Sequence, residues 1–257
     1  MDSDLKTMVG DSPKITKVIS DLSAAGAPVY SRIGYLLVSD VGAAKILKWN
    51  AGALSVFREN SNGASGVTFD HQGRLITAEK RQVSRTEKDG KITVLAPAQD
   101  ANDVVYAIDG NTYFTSAAGA FRVPRKGGSV SEAVECKRPV GVALSPNQQQ
   151  IYVSDAAGRN VLRFDLAGDG AMKNGQVFVS MTSGSPGGVK TDESGNVWIA
   201  VPEGIWVSDK NGRHLGTIAL PEPPGNLNWG ESFRNVFVTA RTSVYKIEAR
   251  TNGTRTF

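Results

Sequence analysis

Two pairs of residues have the types and spacing for acid–base chemistry: Glu79 beside Lys80, and Asp103 beside Asn102. A carboxylate buried in a cleft is pushed toward neutrality by desolvation, as a group exchanging protons near pH 7 requires. The plainer roles are Asp103 capping backbone amides and Glu79 pairing with Lys80 or Arg81. Tyr30 adds a hydroxyl that either donates to a ligand or packs into a wall. Nucleophilic and zinc chemistry have little to build on. Cys136 is the sole cysteine, in the strand-like run Val134-Glu135-Cys136-Lys137, and the chain has two histidines, so neither an intrachain disulfide nor a Cys/His zinc set can form. His71 and His214 fall in separate turns, which argues against a Ser-His-Asp triad. Gly63-Ala64-Ser65-Gly66 is one residue short of a nucleophile elbow. Gly168-Asp169-Gly170 lacks the strand-then-helix setting of a phosphate loop.

These candidates are carried by a repeat of about 40 residues, the mark of small sheets stacked in a line or a ring. Each unit is a short apolar strand, a turn rich in Asp and Gly, a β-branched or aromatic strand, and a further strand. Gly66-Val67-Thr68-Phe69-Asp70 leading to Leu75-Ile76-Thr77-Ala78, and Gly188-Val189-Lys190-Thr191-Asp192 leading to Val197-Trp198-Ile199-Ala200, are the clearest copies. Others begin at Pro28, Asp103, Gly141 and Asn226, making six. Six such units predict an all-β, six-bladed β-propeller, with a sandwich as the competing all-β arrangement. The reading takes residues 1–257 as a single domain, with the strand-like segment 14–20 ahead of the first unit completing the last blade.

Composition agrees with a globular chain: 257 residues, 40% hydrophobic and 21% charged. The net charge of +4 comes from 29 basic residues nearly balanced by 25 acidic ones, without a continuous basic stripe. Arg122, Arg125 and Lys126 read as a solvated hairpin in preference to an anion patch, and no nucleic-acid partner is expected. No apolar run of membrane-spanning length and no leader-like N-terminus are seen, so the expectation is a soluble, cytoplasmic protein without a membrane partner. The oligomeric state is left open.

In a propeller the first strand of each blade lines the central channel, so residues at its start form a ring at one mouth. Those positions are Gly26, Ser65, Asn102, Val140, Gly187 and Asn226, and loops returning to the same face add Asp40, Glu79, Ser116, Asp155, Glu203 and Arg241. Rigidly held loops of this kind are where small-molecule sites sit.

The chain resembles the gluconolactonase, regucalcin and luciferin-regenerating-enzyme family of six-bladed propellers. The resemblance rests on Gly34-Tyr35-Leu36-Leu37-Val38-Ser39-Asp40, Gly66 to Asp70 with Gly73-Arg74-Leu75, Arg85-Thr86-Glu87-Lys88-Asp89-Gly90, Asn102-Asp103-Val104-Val105, Val142-Ala143-Leu144-Ser145-Pro146 and Thr239-Ala240-Arg241-Thr242-Ser243-Val244-Tyr245. It implies a divalent cation, usually calcium, held by a Glu, an Asn and an Asp in three motifs around the channel, where it polarises a lactone carbonyl. Here those motifs read Gly26-Ala27-Pro28, Pro139-Val140-Gly141 and Pro186-Gly187-Gly188, and each ligand position lacks a side-chain oxygen. The expectation is therefore no metal or other cofactor, and a wider, less polar mouth.

The leading functional expectation is a metal-independent enzyme acting on a small, rather apolar, cyclic or lactone-like substrate. Asp103, Glu79 and Tyr30 would be catalytic. Asn102, Asn226, Ser65, Val140, Gly187, Gly26, Ser116 and Arg241 would contact the substrate. Two alternatives stand beside it: a lactone hydrolase whose metal has moved to Asp103, Asp155 or Glu203, and a non-catalytic small-molecule binder.

Overall fold

The computed structural model describes residues 2–125, 131–134 and 136–255; Lys126 and Glu135 lie outside them. Six four-stranded antiparallel sheets follow one another along the chain, so the chain is a six-bladed propeller and not a sandwich. The inner strands are Ala25–Ser31, Val67–Phe69, Val104–Tyr106, Pro139–Leu144, Val189–Thr191 and Pro224–Gly230. Each touches the next, and the sixth touches the first.

The repeat's turns explain the hairpins between first and second strands. Asp70 Oδ1 accepts from the amides of Gln72 and Arg74, and Asp192 Oδ1 from those of Ser194 and Asn196. Gly73 and Gly195 complete these turns at φ of +73° and +85°, values that other residues adopt only with strain.

In three blades the penultimate residue of the second strand ties the blade to the next. The hydroxyls of Thr115, Ser154 and Thr239 donate to the carbonyls of Val140, Gly187 and Gly26, each at the start of the next blade's inner strand. In the remaining blades this residue is Ser39, Thr77 or Ala200. Thr77 turns instead to Glu79, and Ser39 Oγ is buried without a partner among the described residues. The rest of the cohesion is apolar: the blades bury Val, Ile, Leu and aromatic side chains against their neighbours in six clusters.

The ring is closed by the N-terminal segment. Ile15–Ile19 pairs antiparallel with Ser243–Glu248 as the outer strand of the sixth blade. Ahead of it, Ser3–Val9 forms one short helix, an element the sequence reading did not assign. Asp2 caps it by accepting the Asp4 amide, and Leu5 and Val9, one turn apart, join the core built around Trp198 and Trp229. Cys136 lies past the end of the strand Ser131–Val134 and not within it. Burial pushes its thiol up to about 11, with Asp155 adding to the effect, so it is a poor nucleophile. Among the described residues no helix is long and apolar enough to cross a membrane.

Deleting residues 2–20 removes Leu5, Val9 and Ile19, all buried, and exposes the third strand of the sixth blade as an edge. At ~1.5–3 kcal/mol for each buried side chain the loss approaches the whole stability of a typical domain. The truncated chain is expected to lose its cooperative thermal transition, as read by circular dichroism.

Candidate functional site

All six inner strands start at one end of the channel, and the contacts there are those of a closed ring. The Ala27 amide donates to the Ser65 carbonyl, the Gly188 amide to the Gly225 carbonyl, and the Val142 amide to Asp103 Oδ2. A Cβ placed on Gly66 would stand 2.8 Å from the Asn102 carbonyl oxygen, and one on Gly141 would stand 2.7 Å from that of Gly187. The ring positions expected from the sequence therefore sit together. Ser65, Asn102, Val140 and Gly187 are half-buried, forming an accessible arc over the second to fifth blades, whereas Gly26 and Asn226 are buried. The side chains of Ser65 and Asn102 make no hydrogen bond to the described residues. Asn226 Oδ1, in contrast, is taken by the Leu227 amide.

Beneath the arc lies a charge the sequence reading did not single out. Lys190, on the inner strand of the fifth blade, directs its ammonium into the channel, 3.3 Å from Asp103 Oδ2, 3.3 Å from the Val142 carbonyl and 2.9 Å from its neighbour Val189. Asp103 is 1% exposed. Its Oδ1 accepts from the Val104 amide and its Oδ2 from both the Val142 amide and Lys190. A carboxylate so placed joins three blades and balances a lysine that is only 13% exposed. The signal that could have revealed Lys190 was a lysine inside the short inner strand Val189–Thr191, where a charge needs a partner.

Glu79 is in the seam between the first two blades and not on the channel wall. It is fully buried, and its partner is Arg58 at 2.8 Å, from the outer strand of the first blade, in place of Lys80 or Arg81. Thr77, Ser84, Gln82 and Asn62 donate to it as well. Burial opposes its ionisation, but the hydroxyls of Ser84 and Thr77 and the Arg58 guanidinium outweigh burial and hold the carboxyl below its ordinary value.

Tyr30 is at the far end of its strand. It lies four residues along from Gly26, ~13 Å at the rise of an extended strand, and its ring stacks on Phe237. It therefore does not meet the ring residues with which it was grouped. Burial, with Glu231 nearby, raises its hydroxyl above the ordinary tyrosine value. Ser116 is buried and accepts from the Ala118 amide in its own hairpin, while Arg241 is exposed in the last hairpin turn.

The mouth is closely packed at Gly26 and Gly187. A Cβ at Gly26 would stand 2.8 Å from the Ser65 carbonyl oxygen and 2.9 Å from Ser39 Cβ and Val41 Cγ2, and one at Gly187 would stand 2.6 Å from the Gly225 carbonyl oxygen. Neighbouring backbone already fills the space. Deeper in the channel, Thr68, Val104, Lys190, Asn228, Trp229 and Thr254 line a cavity of about 20 Å³, room for one water molecule. The buried Trp229 indole N–H there has no hydrogen-bond partner among the described residues. The opposite end is covered by the C-terminal segment: Gly253 bridges to Asp192, packs on the Trp229 ring, and Thr254 hydrogen-bonds Thr191.

This donor set does not fit a divalent cation at the mouth. Positions 26, 140 and 187 offer no side-chain oxygen, and Asn226 Oδ1 is already committed. The displaced set fits no better. Asp155 accepts from the amides of Lys137, Arg138, Ala157 and Gly158, and Glu203 accepts from Ser183. Among the described residues no three carboxylate, histidine or cysteine side chains gather as a metal site.

Comparison with known proteins is consistent over nearly the whole chain. A family model described as "SMP-30/Gluconolactonase/LRE-like region" matches residues 24–242. A gluconolactonase of Zymomonas mobilis is 24% identical, covering 97% of this chain and 85% of its own length. A gluconolactonase structure from Xanthomonas campestris superposes with a TM-score of 0.91 at 23% identity, covering 97% of this chain and 93% of its own. The calcium-binding protein regucalcin from Agrobacterium tumefaciens superposes at 0.81 with 15% identity and 96% coverage of both chains.

Two outcomes test this geometry. Arg58→Met leaves Glu79 buried without its cation and is expected to cost ~3–5 kcal/mol in urea denaturation at pH 7. Glu79, held below its ordinary value of 4.5, contributes stability that is present above that value and lost as pH falls through the lower folded value. The parent chain should therefore weaken on acidification below about pH 4.5, and the Arg58→Met variant should weaken less. Separately, Gly26→Glu should lower stability by ~1–3 kcal/mol through overpacking, without calcium binding in calorimetry.

Proposed function

Because the chain belongs to the SMP-30/gluconolactonase/LRE-like family yet carries no cation cage at its mouth, we propose that it binds a small molecule there without metal-dependent lactone hydrolysis. The observation that carries this reading is the state of the two buried carboxylates. Asp103 is spent on Lys190 and two backbone amides, and Glu79 on Arg58 and four side-chain donors. A general base must be within reach of the proton it removes and have an oxygen free to take it. Asp103 and Glu79 are both buried and hydrogen-bonded, out of reach of a ligand at the mouth, and Tyr30 is at the other end of its strand. Binding without turnover is thus favoured over the metal-independent enzyme.

The half-buried arc defines the ligand. Asn102 offers an amide donor and acceptor, Ser65 a hydroxyl, Val140 an apolar face and Gly187 a half-buried position without a side chain. That combination suits a small, neutral, oxygen-bearing molecule with an apolar side. The small internal cavity and the C-terminal cover keep the ligand at the mouth and out of the channel.

The test pairs turnover with binding. Across a panel of γ- and δ-lactones, no hydrolysis above background is expected with calcium, manganese, zinc or EDTA. At least one compound should raise the melting temperature, and Asn102→Ala should abolish that rise, since a ligand selective for the folded state stabilises it. Lactone hydrolysis abolished by EDTA and restored by a divalent ion would overturn the proposal.

A further inference from the structure

At the end of the strands opposite the mouth, a cleft of about 360 Å³ opens between the second and third blades. Arg74, Arg85 and Arg125 line it together with His71, Tyr106 and one carboxylate, Asp70. We propose that this cleft binds a small organic oxyanion, a carboxylate or phosphate monoester attached to a compact apolar body.

Two of the guanidiniums are fixed from behind. Arg74 places Nε and Nη2 on Asp70 Oδ2 at 2.7 and 2.6 Å and Nη1 on Glu87 Oε2 at 3.0 Å. Arg85 places Nε and Nη2 on Glu87 Oε1 at 2.8 and 2.6 Å, leaving Nη1 uncommitted among the described residues. Glu87 thus bridges both arginines, and the Arg85 hydrogen bond chiefly holds its carboxyl down at about 2. Among the described residues, three guanidiniums against the two carboxylates of Asp70 and Glu87 leave one positive charge uncompensated.

That charge belongs to Arg125. Among the described residues no carboxylate lies within ion-pair distance of it, although Arg122, three residues earlier, reaches across to the Asp169 carbonyl. Arg125 is nevertheless positioned. Its amide donates to Asn111 Oδ1 at 3.2 Å, and its stem runs over Gly110, where a Cβ would stand 2.6 Å from Arg125 Cδ. Gly110 has φ of +91°, so the glycine serves both the turn and this close approach. A planar guanidinium held beside a second one with free N–H groups matches the paired oxygens of a carboxylate or phosphate. His71 packs edge-on against Tyr106 at 4.9 Å to form one wall, and Leu95 and Val123 supply apolar surface for the rest of the ligand.

Calorimetric titration at low salt with inorganic phosphate, phenyl phosphate and benzoate tests the inference. Saturable binding of phenyl phosphate or benzoate is expected, and whichever binds more tightly identifies the preferred head group. Arg125→Gln should weaken that binding by about tenfold or more, the loss of a charge-assisted hydrogen bond. Arg125 is exposed, so this variant should fold normally, and Asn102→Ala at the opposite face should bind like the parent. Absence of saturable binding, binding unaffected by Arg125→Gln, or inorganic phosphate binding as tightly as phenyl phosphate would overturn the proposal.

Discussion

The ammonium group of Lys190, held by Asp103 and two main-chain carbonyls, sets the chemistry of the channel mouth. A charge withdrawn from water to this degree must be compensated. Asp103 is the carboxylate that compensates it, and in doing so joins the third, fourth and fifth blades. The same contacts hold both oxygens of the carboxylate against neighbouring strands. A positive charge beneath the mouth also works against the approach of a second cation.

Ring closure explains why the mouth is narrow as well as uncharged. Successive inner strands meet backbone to backbone, and three hydroxyl latches draw the start of one inner strand against the preceding blade. Glycine at positions 26, 66, 141 and 187 permits that approach. At Gly26 and Gly187 the neighbouring chain stands where a Cβ would be, so the wall is closely packed there. The half-buried positions that remain, from Ser65 round to Gly187, are those where the ring leaves side chains or backbone facing outward.

The propeller and its ring positions were readable because the repeat carries its own turn chemistry. Asp70 and Asp192 each cap the amides two and four residues later, a pattern that recurs at a fixed offset and so survives without knowledge of the rest of the chain. Positions equivalent in the repeat are equivalent in space, which placed Asn102 beside Val140's neighbourhood and Gly26 beside Ser65. Tyr30 was misplaced because residue type and nearness in sequence to Gly26 do not say which end of a strand a side chain occupies. Partners that cross between blades leave no local trace. Arg58 lies 21 residues from Glu79 and Lys190 lies 87 from Asp103, and only the closed ring brings them together. The short helix Ser3–Val9 was missed because two apolar residues one turn apart are too weak a periodic signal.

The most direct test of this account is a high-resolution crystal structure of the protein soaked in manganese, with anomalous scattering collected at the metal's absorption edge. The account predicts no anomalous peak at the mouth and Lys190 seated on Asp103. A manganese peak within coordination distance of Asn102 and Asn226, with the lysine displaced from Asp103, would contradict it.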